Sequence, residues 1–307
     1  MTPLNTTAQH TRTIACVVDT ECAYKNPTAH GMVYHFGAVF GDLNQDHSFH
    51  TVNMDYYVLE VMEDMQNFLF KNKEGVAYAT NSSMARAWKD AIRNPHKVRR
   101  WKDIIREFNA NINAMGVEYI TSYNFNFDIG VGDKVGVVRK THMQLTDKTF
   151  YLPRGLEHFC LMDIVANKMA NKDFYNWIKT LDENELNQMT TEKGNLSYSA
   201  ETMLRFLSKD LYYIEQHTAL RDSLMEFRLA MHVWKHYKSE IKKFFVNNVK
   251  SVSWQSFNNG LSSTAKMKKR NEPKGKRKAK LIKGKATFKQ MELPLQEIAY
   301  TGYHQSL

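Results

Sequence analysis

Three short motifs hold the residues able to do chemistry. Asp19-Thr20-Glu21 comes first, Asn124-Phe125-Asn126-Phe127-Asp128 second, and His217-Thr218-Ala219-Leu220-Arg221-Asp222 third. Between them they offer the carboxylates of Asp19, Glu21, Asp128 and Asp222 and the imidazole of His217. Oxygen donors of this kind suit hard divalent cations such as Mg²⁺ or Mn²⁺. Two such cations, with a histidine to take a proton from water, are the equipment for phosphodiester hydrolysis. A lone D-x-E carries little weight in a chain with 32 acidic residues. The weight comes from three motifs in a fixed order.

The flanking elements say how the motifs are held. Residues 13–18 are short, apolar and β-branched and read as a strand buried on both faces. Asp19 and Glu21 then fall at its end, two residues apart and so on one face. Residues 117–122 read as another strand, with Asp128 placed where it gives way to a helix predicted to reach about residue 143. Gly130, Gly132 and Gly136 weaken that helix. Ligand crevices in open α/β sheets lie outside the carboxyl ends of strands. A purely structural role for Asn124 or Asp128 is to cap the helix. Residues 218–237 form the clearest amphipathic helix, with Leu220, Leu224, Phe227, Met231 and Trp234 as its core stripe. Asp222 lies off that stripe, in the first turns. His217 precedes the helix, where a freer backbone suits a mobile general base that ionises near neutrality.

Residues 32–40 and 48–54 read as the second and third strands. Helices are predicted over 56–71, over 82–94 with Pro95 as the stop, and over 98–115. The last of these carries Trp101, Ile104, Ile105, Phe108 and Ile112 on one face. The order gives an α/β fold with a mixed sheet that begins as a meander.

A chain of 307 residues with 43% hydrophobic content is ample for one sizeable core. Cys16, Cys22 and Cys160 have no paired metal spacing and imply a reducing compartment without disulfides. The first ten residues are polar and lack the apolar region of a signal peptide, and no run is long enough to span a bilayer. A soluble, cytoplasmic protein is expected. The net charge of +10 is unevenly placed: residues 235–290 hold 17 Lys and Arg against Glu240 and Glu272, which leaves the remainder at −5. Residues 251–289 cannot bury enough surface to order themselves. Lys266, Lys268, Lys269, Arg270, Lys274, Lys276, Arg277 and Lys278 read as a nucleic-acid tether that neutralises phosphates. Residues 291–307 are apolar enough to dock, on this chain or on a partner.

The three motifs resemble those of the DEDDh (DnaQ-like) branch of the DEDD exonucleases, in the RNase H-like superfamily. The run from His217 to Glu226 is especially similar to the third family motif. The resemblance implies an RNase H-like mixed sheet flanked by helices over residues 12–237, after an N-terminal tail at 1–11. A helical insertion is expected at about 168–199, and a basic, partly disordered C-terminal extension at 238–307. It implies two Mg²⁺ or Mn²⁺ held by Asp19, Glu21, Asp128 and Asp222, with His217 as general base. The implied reaction releases nucleoside 5′-monophosphates from 3′ ends of single-stranded nucleic acid, DNA favoured over RNA. Replication, proofreading or repair is the implied setting, with a polymerase or replication complex as a possible partner and no membrane. Thr20, Asn124 and Phe125 are the expected substrate contacts, whereas Phe36 and Phe127 are expected to pack in the core. Tyr123 stands where the family commonly has histidine, and Asp163, with Ile164 in place of the common Thr, is read as structural. Two alternatives remain at this point: an RNA-processing exoribonuclease, and a non-catalytic nucleic-acid-binding module with this fold.

Overall fold

A computed structural model describes residues 12–23, 31–45, 51–64, 83–130, 135–169, 172–191 and 196–247. The chain divides into Met1–Lys266 and Met267–Leu307. The basic tether and the apolar segment at 291–307 lie outside the described residues.

The apolar start of the chain becomes strand β1 (Ile14–Ala23). It continues through the first motif instead of ending before it, because β2 (Met32–Asp42) pairs with it antiparallel along its length. Asp19 lies opposite Gly37 and Glu21 opposite His35, with a register shift between Glu21 and Cys22. β3 (Val52–Val58) adds the third strand of the meander. Its residues 56–58, predicted as the start of a helix, are claimed by the ladder, and helix begins at 59. Residues 48–50 of the predicted strand and 65–71 of the predicted helix lie outside the described residues.

Helix α1 (Ser83–Arg93) ends before Pro95, as its sequence requires. β4 (Val98–Arg99) then pairs parallel with Tyr57 and Val58. That pairing delays α2 (Trp101–Met115) by three residues from its predicted start. The predicted stripe of α2 is its buried face, and Gly116 closes the helix at φ 62° with its N–H on the carbonyls of Ile112 and Asn113. β5 (Tyr119–Ser122) lies parallel to β1, and β6 (Glu157–Cys160) parallel to β5. The sheet order is β4-β3-β2-β1-β5-β6, so the central β1 is antiparallel to one neighbour and parallel to the other. This is the expected mixed α/β sheet.

The segment after β5 differs from expectation. A single turn, α3 (Phe125–Asp128), holds the second motif, and the next described helix is α4 (Val137–Thr146). Asp128 thus ends a helical turn instead of preceding a long helix. Short helices α5 (Leu161–Ile164), α6 (Lys172–Thr180), α7 (Glu183–Gln188) and α8 (Ala200–Ser208) follow β6. α9 (Ala219–Asn247) carries the third motif and breaks at Tyr237, φ −131° and ψ 19°, where the amphipathic pattern ends.

Alternate residues of β1 serve two cores. Cys16 and Val18 pack with Phe36, Phe40, Trp101 and Phe108 on one face of the sheet. Ala15 and Val17 pack with Val39, Leu229, Val233 and Trp234 of the α9 side on the other. Phe227 and Trp234 of the predicted α9 stripe are buried as expected, but the rest of the stripe is not the most buried face. Leu220, Leu224 and Met231 are half-buried, whereas Ala219, Asp222, Ser223, Glu226 and Ala230 are buried. Small side chains let the helix close on the sheet, and the larger ones flank the contact. Asp222 is therefore on the buried face. The cysteines are free. Among the described residues no helix is long and apolar enough to cross a membrane.

Candidate active site

The side chains of Asp19 and Glu21 lie on the face of β1 that α9 covers, in line with Ala15 and Val17. Across the ladder, the register places His35 and Gly37 opposite them. The absence of a side chain at Gly37 is a steric necessity. A Cβ there would lie 2.2 Å from the carbonyl carbon of Ala219 and 2.5 Å from the nitrogen of Leu220. The first turn of α9 is thereby seated against β2, three residues before Asp222.

His35 secures the same turn. Its Nδ1 accepts the backbone N–H of Ala219 at 3.4 Å, and its Nε2 lies 2.7 Å from Asp55 Oδ1. With Nδ1 accepting, the proton sits on Nε2 and is donated to Asp55. Lys97 Nζ is 2.7 Å from the other Asp55 oxygen. Burial would raise the Asp55 carboxyl, but the His35 and Lys97 contacts hold it below the usual range. Ahead of α9, Arg205 Nε donates to the Tyr213 carbonyl at 2.8 Å, and Glu201 accepts the Glu215 N–H at 3.0 Å. The segment leading into His217 is thus tied to α8. His217 itself is exposed and adopts φ 51°, an uncommon backbone state for a residue with a side chain.

Asp128 is anchored to β1 where β5 no longer covers that strand's edge. Thr20 Oγ1 donates to Asp128 Oδ1 at 2.6 Å, and the Thr20 N–H also bonds to it. Thr20, expected to touch substrate, is buried and gives its hydroxyl to the second motif.

Of the five predicted residues, the structure brings three within ligand distance of one another, with Asp19 and Asp128 outside that group. Glu21, His217 and Asp222 each offer a ligand atom within 4.8 Å of the others, which no other set of three such residues does among the described residues. Burial, then Glu226, Asp128, Asp222 and Glu21, drive the Asp19 carboxyl well above the usual range. Burial likewise pushes Asp128 up to about 7 and, together with Glu215 and Glu21, Asp222 up to about 8. Burial raises Glu21 as well, opposed by His217 and His35. Asp222 Oδ1 is buried with no hydrogen-bond partner among the described residues. Crowded, desolvated carboxylates with an orphaned oxygen are a donor set that fits divalent cations.

This crowding has a measurable consequence. Asp128 and Asp222 move from 3.8 to about 7 and about 8 on folding, so between about pH 4 and 8 the folded protein holds protons that the unfolded chain has lost. Stability of chelator-treated protein should therefore fall as pH rises through that window. We expect the melting temperature in EDTA to drop steadily from about pH 5 to 8, and Mg²⁺ to flatten the profile. A flat profile in EDTA would mean that burial does not hold these carboxyls protonated.

Other expectations move. Phe125, predicted to touch substrate, is 1% exposed, its ring stacked on His158 at 5.3 Å. Phe127, predicted to be core, is 37% exposed. A one-turn helix puts the odd-numbered neighbours on different faces, which a strand-to-long-helix reading does not anticipate. Phe36 is buried edge-on against Trp101 and Phe108, as expected. Asn124 is exposed at the start of α3 and makes no side-chain cap bond. Two acids near the site were assigned no role from sequence, Glu215 and Glu226. Glu226 lies four residues after Asp222 on one helix, a spacing that by itself marks no role.

No protein-family profile matches the chain, and no curated protein matches it. Among the solved structures similar to it are these two. One is described as the crystal structure of a full-length 3′-exonuclease, with TM-score 0.41, 12% identity, and coverage of 73% of this chain and 82% of that one. The other is the zinc-bound form of an E. coli ExoI–ssDNA complex, with TM-score 0.40, 14% identity, and coverage of 76% of this chain and 43% of that one.

Proposed function

We infer that the protein is a metal-dependent 3′–5′ exonuclease that hydrolyses single-stranded nucleic acid, DNA in preference to RNA, to nucleoside 5′-monophosphates. The observation that carries this reading is the convergence of Glu21, His217 and Asp222 near the half-buried Asp19 and the buried Asp128. Three segments far apart in sequence deliver acids to one place, at a free energy cost that a folding role alone does not repay.

Asp19, Glu21, Asp128 and Asp222 would hold two Mg²⁺ or Mn²⁺. Bound there, the cations would neutralise charge on the phosphate and lower the pKa of an attacking water. His217, exposed and close to Glu21 and Asp222, would take the proton from that water. Thr20 holds Asp128 in register, and the Arg205 and Glu201 contacts limit movement ahead of His217. Asn124 and Phe127, the exposed side chains of the second motif, could meet a nucleotide. The basic residues from Lys266 to Lys278 would track phosphates further along a long strand, in a setting of replication or repair.

The test is hydrolysis of matched single-stranded DNA and RNA labelled at the 5′ end, with Mg²⁺ or Mn²⁺, beside Asp19→Ala. A ladder shortening from the 3′ end, abolished by EDTA and absent in the variant, is the expected result. Cleavage that survives EDTA, or binding without cleavage, would overturn the reading.

His217→Ala is expected to lower kcat by about 10²–10⁴-fold with the half-saturating Mg²⁺ concentration unchanged. Because His217 also lies within ligand distance of Glu21 and Asp222, the contrary outcome is specific. A rise in the Mg²⁺ requirement with kcat preserved would make it a ligand instead of a base.

A further inference from the structure

Glu226 has no part in the ligand set above, yet it is 3% exposed and lies one turn beyond Asp222 on the same face of α9. Its Oε2 accepts the backbone N–H of Tyr123 at 3.0 Å. Tyr123 links the end of β5 to the α3 turn. One hydrogen bond therefore joins the helix of the third motif to the strand end that launches the second.

Tyr123 is itself held in place. Its carbonyl accepts the Met162 N–H at 2.8 Å, and its hydroxyl donates to the Tyr198 carbonyl. It is fixed to α5 and to the segment before α8, and Glu226 is the contact that draws α9 to it. The bond is costly. Glu226 forms no ion pair among the described residues, and Asp19, Asp128 and Asp222 lie near it. An apolar side chain would sit there more cheaply if packing were the only demand.

We propose that Glu226 is a positioning residue of the cation site: through the Tyr123 N–H it sets the separation between Asp128 and Asp222. This rests on the nuclease reading above. Ligands that share cations tolerate displacements of only about 0.5 Å. Asp128 is tied to β1 through Thr20, and Asp222 is carried by α9. The Glu226 bond closes the loop between them, so neither acid can drift without breaking a hydrogen bond.

The test compares Glu226→Gln, Glu226→Asp and Glu226→Ala with the parent protein. Mn²⁺ affinity is read by titration calorimetry, and hydrolysis is read as a function of Mg²⁺ concentration. The Gln amide oxygen can accept the same N–H, so this variant should bind Mn²⁺ and hydrolyse like the parent. Asp keeps the charge but is one methylene short, and Ala lacks the acceptor. Both should weaken Mn²⁺ affinity and raise the half-saturating Mg²⁺ concentration by about 10–100-fold, with kcat recovered at high Mg²⁺. If the Ala variant fails to fold, the contrast of Gln with Asp still decides. A Gln variant as impaired as Asp would overturn the proposal and make the charge of Glu226 a direct ligand. Unchanged Mn²⁺ affinity in all three would also overturn it while leaving the nuclease reading intact. A parent protein that binds no Mn²⁺ would instead bring down the nuclease reading.

Discussion

Asp222→Asn should leave no measurable hydrolysis and yet raise the melting temperature of chelator-treated protein. On the proposed function, the activity loss should exceed the ~10⁴-fold upper range for removing a general base, because the substitution would withdraw a cation ligand and its charge. The gain in stability follows from the same geometry. Asp222 is 2% exposed, its Oδ1 has no hydrogen-bond partner among the described residues, and its carboxyl is pushed up to about 8. A neutral, nearly isosteric amide removes the repulsion from Glu215 and Glu21 without opening a cavity. Buried acids of this kind trade stability for function. Hydrolysis of a labelled oligonucleotide and thermal melts at about pH 8, with and without Mg²⁺, check both halves. A variant that is inactive and less stable in EDTA would show that Asp222 supports the fold directly.

The second large effect is expected at a residue with no functional group. Gly37→Ala places a methyl group 2.2 Å from the carbonyl carbon of Ala219. The obstacle is backbone on both sides, so no rotamer relieves it. Overpacking of a core usually costs about 1–3 kcal/mol, and a rigid contact of this kind should lie at or above the top of that range. The cheapest relief is for the first turn of α9 to lift from β2. That movement breaks the His35–Ala219 hydrogen bond and carries Asp222 outward. A displacement of about 1 Å at a reacting centre costs on the order of 10²-fold in rate. Urea unfolding and oligonucleotide hydrolysis should therefore fall together. Preserved activity would mean that the helix start can move without taking Asp222 with it.

The motifs could be found in sequence because they need particular residue types at short spacings, and local spacing survives folding. Asp19 and Glu21 share a face by the two-residue period of a strand alone. Glu226 could not be found in the same way. Its role depends on meeting Tyr123, 103 residues away, and nothing local marks one helical glutamate from another. The buried face of α9 was partly misjudged for a related reason. Periodicity weights large apolar residues, yet the face that meets the sheet carries Ala219, Ser223 and Ala230 because close approach demands small ones. The exchange of Phe125 and Phe127 between core and surface turned on whether four residues form one helical turn, and that is decided by the strand and the helix packed around them. At β3, propensity was clear, but the ladder with β2 outlasted the predicted helix start.

The hydrogen bonds that assemble the site have long spans: 108 residues between Thr20 and Asp128, 103 between Tyr123 and Glu226, and 184 between His35 and Ala219. Such contacts form late, after the loops between them have been closed. A ribosome makes the N-terminal strands long before α9 exists, so the nascent chain carries Asp19 and Glu21 with nothing to complete them. On the proposed function, hydrolytic capacity arrives only when almost the whole domain has been synthesised and folded. A cell producing this protein is thereby spared a half-made nuclease tethered beside messenger RNA.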